Sequence, residues 1–129
     1  MEDSNAAGQR LANLLPLDGL RAVIVFGQGI HINGSALIAG MASVLGMDVL
    51  ITGELAGDGA AFKETWVLDD SGVHNDHVAC VGLYGAGLRV AHGSFGGWMP
   101  FGPARKVTRC ADNVLFELDG ESALDVYKR

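Results

Sequence analysis

The feature that most constrains the fold is a pair of short apolar segments, residues 22–26 and 49–52, on either side of a helical segment. Both are rich in β-branched residues and each is followed directly by a glycine, which is typical of buried strands. Between them, Asn33 is a candidate N-cap and Gly46 a candidate helix stop. Residues 22–52 therefore predict a strand, a helix and a parallel strand joined by a right-handed crossover.

The rest of the chain favours antiparallel pairing. A short helix is predicted before Pro16, and Ser122 is a candidate cap for a last helix. Further predicted strands are residues 65–68, 78–84, 88–92, 106–110 and 114–118. Turn residues separate them, so the first three are expected to form a meander and the last two a hairpin. We expect an α+β fold with a mostly antiparallel sheet, in which residues 22–52 form the strand–helix–strand unit and residues 64–118 a meander of hairpins.

Composition excludes several classes of protein. Hydrophobic residues make up 49% of the 129 and charged residues 19%, which is too apolar for intrinsic disorder. A net charge of −6 with scattered basic residues disfavours nucleic-acid binding. The longest uncharged run, residues 22–47, is interrupted by polar residues and glycines, so no membrane insertion is predicted. Two cysteines are too few for a disulfide scaffold, and we expect a cytoplasmic location.

Two glycine-rich segments, residues 52–59 and 92–103, are the best candidates for a ligand site. The first places three glycines and two carboxylates directly after a strand, where successive backbone N–H groups are able to face a small polar group. The second combines glycines with aromatic and polar side chains, which suit a pocket wall. The candidate ligand-binding residues are Gly53, Gly57, Asp58, Gly59, His92, Ser94 and Trp98.

Three other motifs support weaker interpretations. Gly27-Gln-Gly29 has isoleucine at position 32, where a dinucleotide-binding fingerprint needs glycine. His74, His77 and Cys80 have metal-like spacing, but alternation along a strand sends His77 and Cys80 to opposite faces, so solvated turn histidines are favoured and no metal is predicted. Ser94 lacks the glycine two residues earlier that a nucleophile elbow requires.

Taken in order along the chain, a series of short motifs resembles the FIST sensory domain. The matching stretches are residues 24–29, 33–35, 53–59, 65–66, 92–98, 107–109, 115–120 and 123–127. The resemblance implies a non-enzymatic module of bacterial signal transduction that binds a small ligand, such as an amino acid or related metabolite, and passes the signal to a kinase, a cyclase or a chemoreceptor. No cofactor is predicted. Similarity to haem-binding family members would make His31 or His92 axial ligands.

The resemblance also implies an incomplete domain. Residues 1–18 would be a helical lead-in, residues 20–120 a core like the FIST N-terminal region, and residues 121–129 the start of a following helix. Two alternatives to the sensory module stay open. One is a small hydrolase or metal-dependent enzyme that uses His74, His77, Cys80 or Ser94, and the other is a structural remnant that needs a partner chain.

Overall fold

The computed structural model describes residues 4–97 and 99–129, and the chain divides into two compact units, Met1–Gly93 and Ser94–Arg129. The first unit contains α1 (Ser4–Asn13), β1 (Leu20–Gly27), α2 (Gly34–Leu45), β2 (Leu50–Leu55), β3 (Val67–Asp69), β4 (Gly72–His74) and β5 (Val78–Tyr84). The second contains β6 (Val107–Ala111), β7 (Val114–Leu118), β8 (Glu121–Ser122) and α3 (Ala123–Tyr127). The predicted α+β class is confirmed.

The central sheet of the first unit has the strand order β2-β1-β5. β2 runs parallel to β1, and their register pairs Ala22 with Leu50 and Gly27 with Leu55. Since α2 connects these two strands, the predicted strand–helix–strand unit is confirmed. The parallel register also brings the carboxyl ends of β1 and β2 to the same edge of the sheet.

The core of this unit is formed by β1 and the two helices α1 and α2. Val23 and Val25 are buried on the same face of β1, because alternate residues of a strand share a face. Leu37 and Met41 lie about one helical turn apart on α2 and are almost fully buried. Ala12 of α1 completes the same cluster.

The helices α1 and α2 approach each other at a pair of glycines. A Cβ atom at Gly8 would lie 2.1 Å from the Leu37 carbonyl oxygen, and one at Gly40 would lie 2.0 Å from the Asn5 carbonyl oxygen. These distances are far below van der Waals contact, so the two backbones meet only where side chains are absent. The absence of a side chain at Gly40 permits this close packing.

The boundaries of α2 follow the predicted capping residues. The Asn33 side chain accepts a hydrogen bond from the Ala36 N–H at 3.1 Å, which satisfies one of the free amides of the first turn. Gly46 ends the helix with φ of 80°, and its N–H donates to the Ala42 carbonyl.

The pairing predicted for residues 65–92 is wrong in two respects. β3 pairs with β4, the segment that directly follows the turn, and not with residues 78–84. Those residues form β5, which pairs antiparallel with β1 and thereby covers the free edge of the central sheet. Residues 88–92 form no strand. The longer apolar strand satisfies more backbone groups beside β1 than beside a three-residue partner, which explains the difference.

The second unit is a small antiparallel sheet with the strand order β6-β7-β8, followed by α3. The predicted hairpin is confirmed, with Asp112 in its turn at φ of 49°. Arg109 donates a hydrogen bond to Glu117 at 2.8 Å and lies over the ring of Phe116. Ser122 occupies the N-cap position of α3 without a capping hydrogen bond from its side chain.

Candidate ligand-binding site

A cleft of about 460 Å³ opens at the carboxyl ends of β1 and β2. Its volume falls within the range of small-molecule sites, about 300–1,000 Å³. Ligands of open α/β sheets bind at this kind of position, beyond the carboxyl ends of parallel strands. The cleft is lined by Phe26, Gly27, Glu54, Leu55, Ala56, Gly57, Trp66, Val67 and Leu68.

The walls of the cleft combine exposed aromatic rings with one carboxylate. Phe26 is 47% exposed and Trp66 54% exposed, so both rings offer apolar surface to a ligand. The parallel register pairs Phe26 with Glu54, which places the carboxylate on the strand beside the ring. Phe26 and Trp66 were not predicted from the sequence as site residues, and Glu54 was predicted only as one of the two carboxylates of the segment 52–59. The signal that identifies Phe26 and Glu54 is the register of β1 and β2, because it brings the ends of both strands together.

Two buried polar side chains shape the loop that follows β1. The Gln28 Oε1 atom accepts hydrogen bonds from the N–H groups of Ile30 and His31 at 2.8 and 2.9 Å. The Thr65 Oγ1 atom accepts a hydrogen bond from the Gly29 N–H at 2.7 Å. Because buried backbone amides need partners, Gln28 and Thr65 fix the loop beside the cleft.

Gly53 of the predicted set has a structural role in the sheet. It is paired with Val25, and its φ of 152° is a conformation that side chains rarely adopt. A Cβ atom there would lie 1.9 Å from the Val25 carbonyl oxygen. Gly57 lines the cleft, and Gly59 lies in the turn that follows with φ of 69°.

Asp58 closes the loop of residues 58–64. Its carboxylate accepts hydrogen bonds from the N–H groups of Phe62 at 3.0 Å, Lys63 at 2.7 Å and Glu64 at 3.4 Å. Donation from the Lys63 and then the Phe62 amide lowers the pKa of Asp58 below its ordinary value. Successive backbone N–H groups do hold an anion here, but they belong to residues 62–64 and not to the predicted segment 52–59, and the anion is the Asp58 side chain.

The order of this loop is expected to depend on pH through Asp58. A carboxyl group with a lowered pKa stabilises the folded loop above the ordinary aspartate pKa of about 3.9, and that contribution is lost as the pH falls through the lowered pKa. We expect the amides of Phe62 and Lys63 to be protected from hydrogen exchange at neutral pH and to lose protection in acid. Asp58→Asn should weaken protection already at neutral pH, whereas Asp70→Asn should leave it unchanged; equal protection in Asp58→Asn would contradict the assignment.

The remaining predicted residues belong to the segment around residues 92–98. His92 is exposed in irregular chain at the end of the first unit. Ser94 is exposed at the start of the second unit, where the chain is also irregular. Trp98 lies outside the described residues.

The His74, His77 and Cys80 spacing does not produce one cluster. Cys80 lies on β5 opposite Val25, packs against the core and is half-buried, and burial raises the pKa of its thiol. The two histidines lie beside each other with ring centroids 3.9 Å apart. The third residue close to the two histidines is Asp69 and not Cys80. Hydrogen bonds from Ser71 lower the pKa of the Asp69 carboxyl group.

An axial imidazole holds haem iron in many proteins, and the polarity and access of the surrounding pocket decide the chemistry of the haem. His31 and His92 are both exposed, and neither is among the residues that line the cleft at β1 and β2. Their surroundings do not fit an enclosed haem, and no haem chemistry is assigned to them.

The fold and the cleft define an α+β domain with a small-molecule-sized opening beyond two parallel strands. Residues 1–121 match the family model of the FIST N domain, so the chain belongs to this family of sensory domains. Neither the curated proteins nor the solved structures include a significant match. Among residues 4–97 and 99–129, no helix has the length and apolar character needed to cross a bilayer.

Proposed function

We propose that this chain is a non-enzymatic sensory module whose cleft binds a small metabolite with an ammonium group and an apolar part, such as an amino acid or a related amine. The observation that carries the proposal is the cleft at the ends of β1 and β2, with Phe26 and Trp66 beside the Glu54 carboxylate. Membership of a sensory domain family supports it.

The lining chemistry favours a cationic head group. Glu54 is the charged residue of the lining, and a carboxylate binds an ammonium group through charge-assisted hydrogen bonds. The aromatic faces of Phe26 and Trp66 attract a cation within about 6 Å of the ring centroid. Leu55, Val67 and Leu68 add apolar surface for the rest of the ligand.

In this proposal the loop residues keep the shape of the cleft. Gly53 holds β2 against β1, Asp58 closes the following loop, and Gly57 lines the opening. His92, Ser94 and Trp98 stay predicted ligand contacts. Ligand binding would be passed to a cytoplasmic output such as a kinase, a cyclase or a chemoreceptor.

A thermal-shift screen of amino acids and primary amines tests the cleft. We expect at least one of them to raise the melting temperature of the full chain. Glu54→Gln should then weaken its affinity about 10- to 100-fold, since a hydrogen bond to a charged group contributes about 1.5–3 kcal/mol. Trp66→Leu should also weaken binding, because it removes an aromatic wall.

Two further variants make this test specific. Glu64→Gln is the matched control, because Glu64 lies outside the cleft and glutamine keeps the oxygen that accepts from Asn75. Trp98→Leu tests the predicted second segment separately. The cleft assignment is overturned if Glu54→Gln and Trp66→Leu bind the ligand as tightly as the unmodified chain.

A further inference from the structure

The β3–β4 hairpin places Asp69 and His74 on the same face. Its register pairs Asp69 with Gly72 and Val67 with His74, so Asp69 and His74 are diagonal neighbours. Gly72 has no side chain to separate them, and a Cβ atom there would lie 3.9 Å from the His74 Nε2 atom. The imidazole therefore reaches over Gly72, and its Nε2 atom lies 3.3 Å from Asp69 Oδ1.

His77 completes a group of three donors. The ring of His77 lies 3.9 Å from the ring of His74, centroid to centroid, with a tilt of 30°. One ligand atom from each of Asp69, His74 and His77 lies within 4.8 Å of the other two. Two ligands of one tetrahedral Zn²⁺ are about 3.3 Å apart at ordinary bond lengths, so small side-chain rotations bring the three donors to bonding distance.

Neighbouring side chains orient these donors as they do in metal sites. The Asp76 carboxylate lies 2.7 Å from His77 Nδ1, a contact that holds the proton on Nδ1 and leaves the Nε2 lone pair for a metal. The Ser71 N–H and hydroxyl group both donate to Asp69 Oδ1, at 2.8 and 2.6 Å, and the Ser71 hydroxyl oxygen accepts from His74 Nε2 at 2.8 Å, so a metal bound through Nε2 would replace this proton. Ligand carboxylates and imidazoles commonly have outer partners of this kind.

A metal ion can reach the three donor residues Asp69, His74 and His77 from solvent. His77 is exposed, and Asp76 and His77 also line a groove beside α1. A site with three protein ligands leaves a coordination position for water or for another ligand.

We propose that Asp69, His74 and His77 bind a divalent first-row transition metal of the Zn²⁺ type, with water in the remaining positions. Two imidazoles and one carboxylate suit Zn²⁺, Co²⁺ or Ni²⁺ better than Mg²⁺ or Ca²⁺, which prefer oxygen ligands. The bound ion connects β3 to the segment after β4. This site is separate from the proposed ligand cleft.

Isothermal titration of the full chain with ZnCl₂, after treatment with a chelator and dialysis, tests the proposal. We expect one Zn²⁺ per chain. His74→Ala and His77→Ala should each abolish stoichiometric binding, and Asp76→Asn should weaken it about 10- to 100-fold through the loss of the outer partner. MgCl₂ should give no comparable binding.

Matched controls separate this site from adventitious binding. Asp70→Asn removes the acid next to Asp69 and should leave binding unchanged, whereas Asp69→Asn should weaken it. Cys110→Ser removes an exposed thiol and His31→Ala an exposed imidazole, and both should bind Zn²⁺ normally. Circular dichroism establishes that each variant is folded, and the absorption spectrum of the Co²⁺ form of the unmodified chain reports coordination without any substitution.

The proposal is overturned if the unmodified chain binds no Zn²⁺ at all. It is also overturned if folded His74→Ala and His77→Ala bind one Zn²⁺ with unchanged affinity.

Discussion

Gly53→Ala is expected to lower the free energy of unfolding by about 3–5 kcal/mol. The added methyl group would lie 1.9 Å from the Val25 carbonyl oxygen, and the backbone φ of 152° is unfavourable for alanine. Relief of this contact requires β2 to move away from β1, which breaks the parallel ladder. The melting temperature should fall by an amount on the order of 10–25 °C.

Gly57→Ala is the matched control for this substitution. Gly57 lies four residues further along the chain, in the loop that follows β2. A Cβ atom at Gly57 would have no other atom within 4 Å apart from those of its own chain neighbours. Its effect should stay within about 0.5 kcal/mol. Urea denaturation followed by circular dichroism measures both variants, and equal stabilities would show that the close contact at Gly53 is absent in solution.

Gly40→Ala is expected to destabilise the chain by about 2–4 kcal/mol. Alanine has the higher helix propensity by about 1 kcal/mol, so propensity alone predicts stabilisation. The opposite sign is expected because the new methyl group would lie 2.0 Å from the Asn5 carbonyl oxygen of α1. Separation of α1 from α2 would expose Leu37 and Met41, which are almost fully buried.

Gly34→Ala provides the comparison for Gly40→Ala. It also lies in α2, but its Cβ atom would meet only a Leu55 side-chain carbon at 3.5 Å, an ordinary contact. Hydrogen exchange of the α1 amides should be faster in Gly40→Ala and unchanged in Gly34→Ala. Unchanged or increased stability of Gly40→Ala would contradict the close contact between the helices.

Two parts of the fold that local sequence signals determine, α2 and the β6–β7 hairpin, were predicted correctly, whereas the strand predicted at residues 88–92 is absent. Asn33 and Gly46 mark the two ends of α2. The Asn33 side chain and the positive φ of Gly46 each act on backbone groups within one helical turn, so both ends can be predicted from local sequence. The β6–β7 hairpin follows from its Asp112-Asn113 turn in the same way. The pairing of β5 was missed because the choice between β1 and β3 depends on a contact about 55 residues away in the chain, which local patterns do not encode.

The candidate site was predictable only in part. The predicted segment of residues 52–59 includes Glu54 and Gly57, which line the cleft. Phe26 and Trp66 were missed because their role depends on the register of β1 and β2 and on the path of the chain after Asp58. The function of Asp58 was also not evident, since a carboxylate that closes its own loop has the same sequence context as one that faces a ligand.

The closure of that loop by Asp58 has a consequence for ligand selection. The carboxylate is tethered to the amides that it binds, so its effective concentration there is on the order of millimolar or higher. A free carboxylated metabolite at micromolar concentration is a weak competitor against such an internal ligand. A free anion would therefore compete poorly for the amides of residues 62–64, and the charged side chain that lines the proposed ligand cleft is the Glu54 carboxylate.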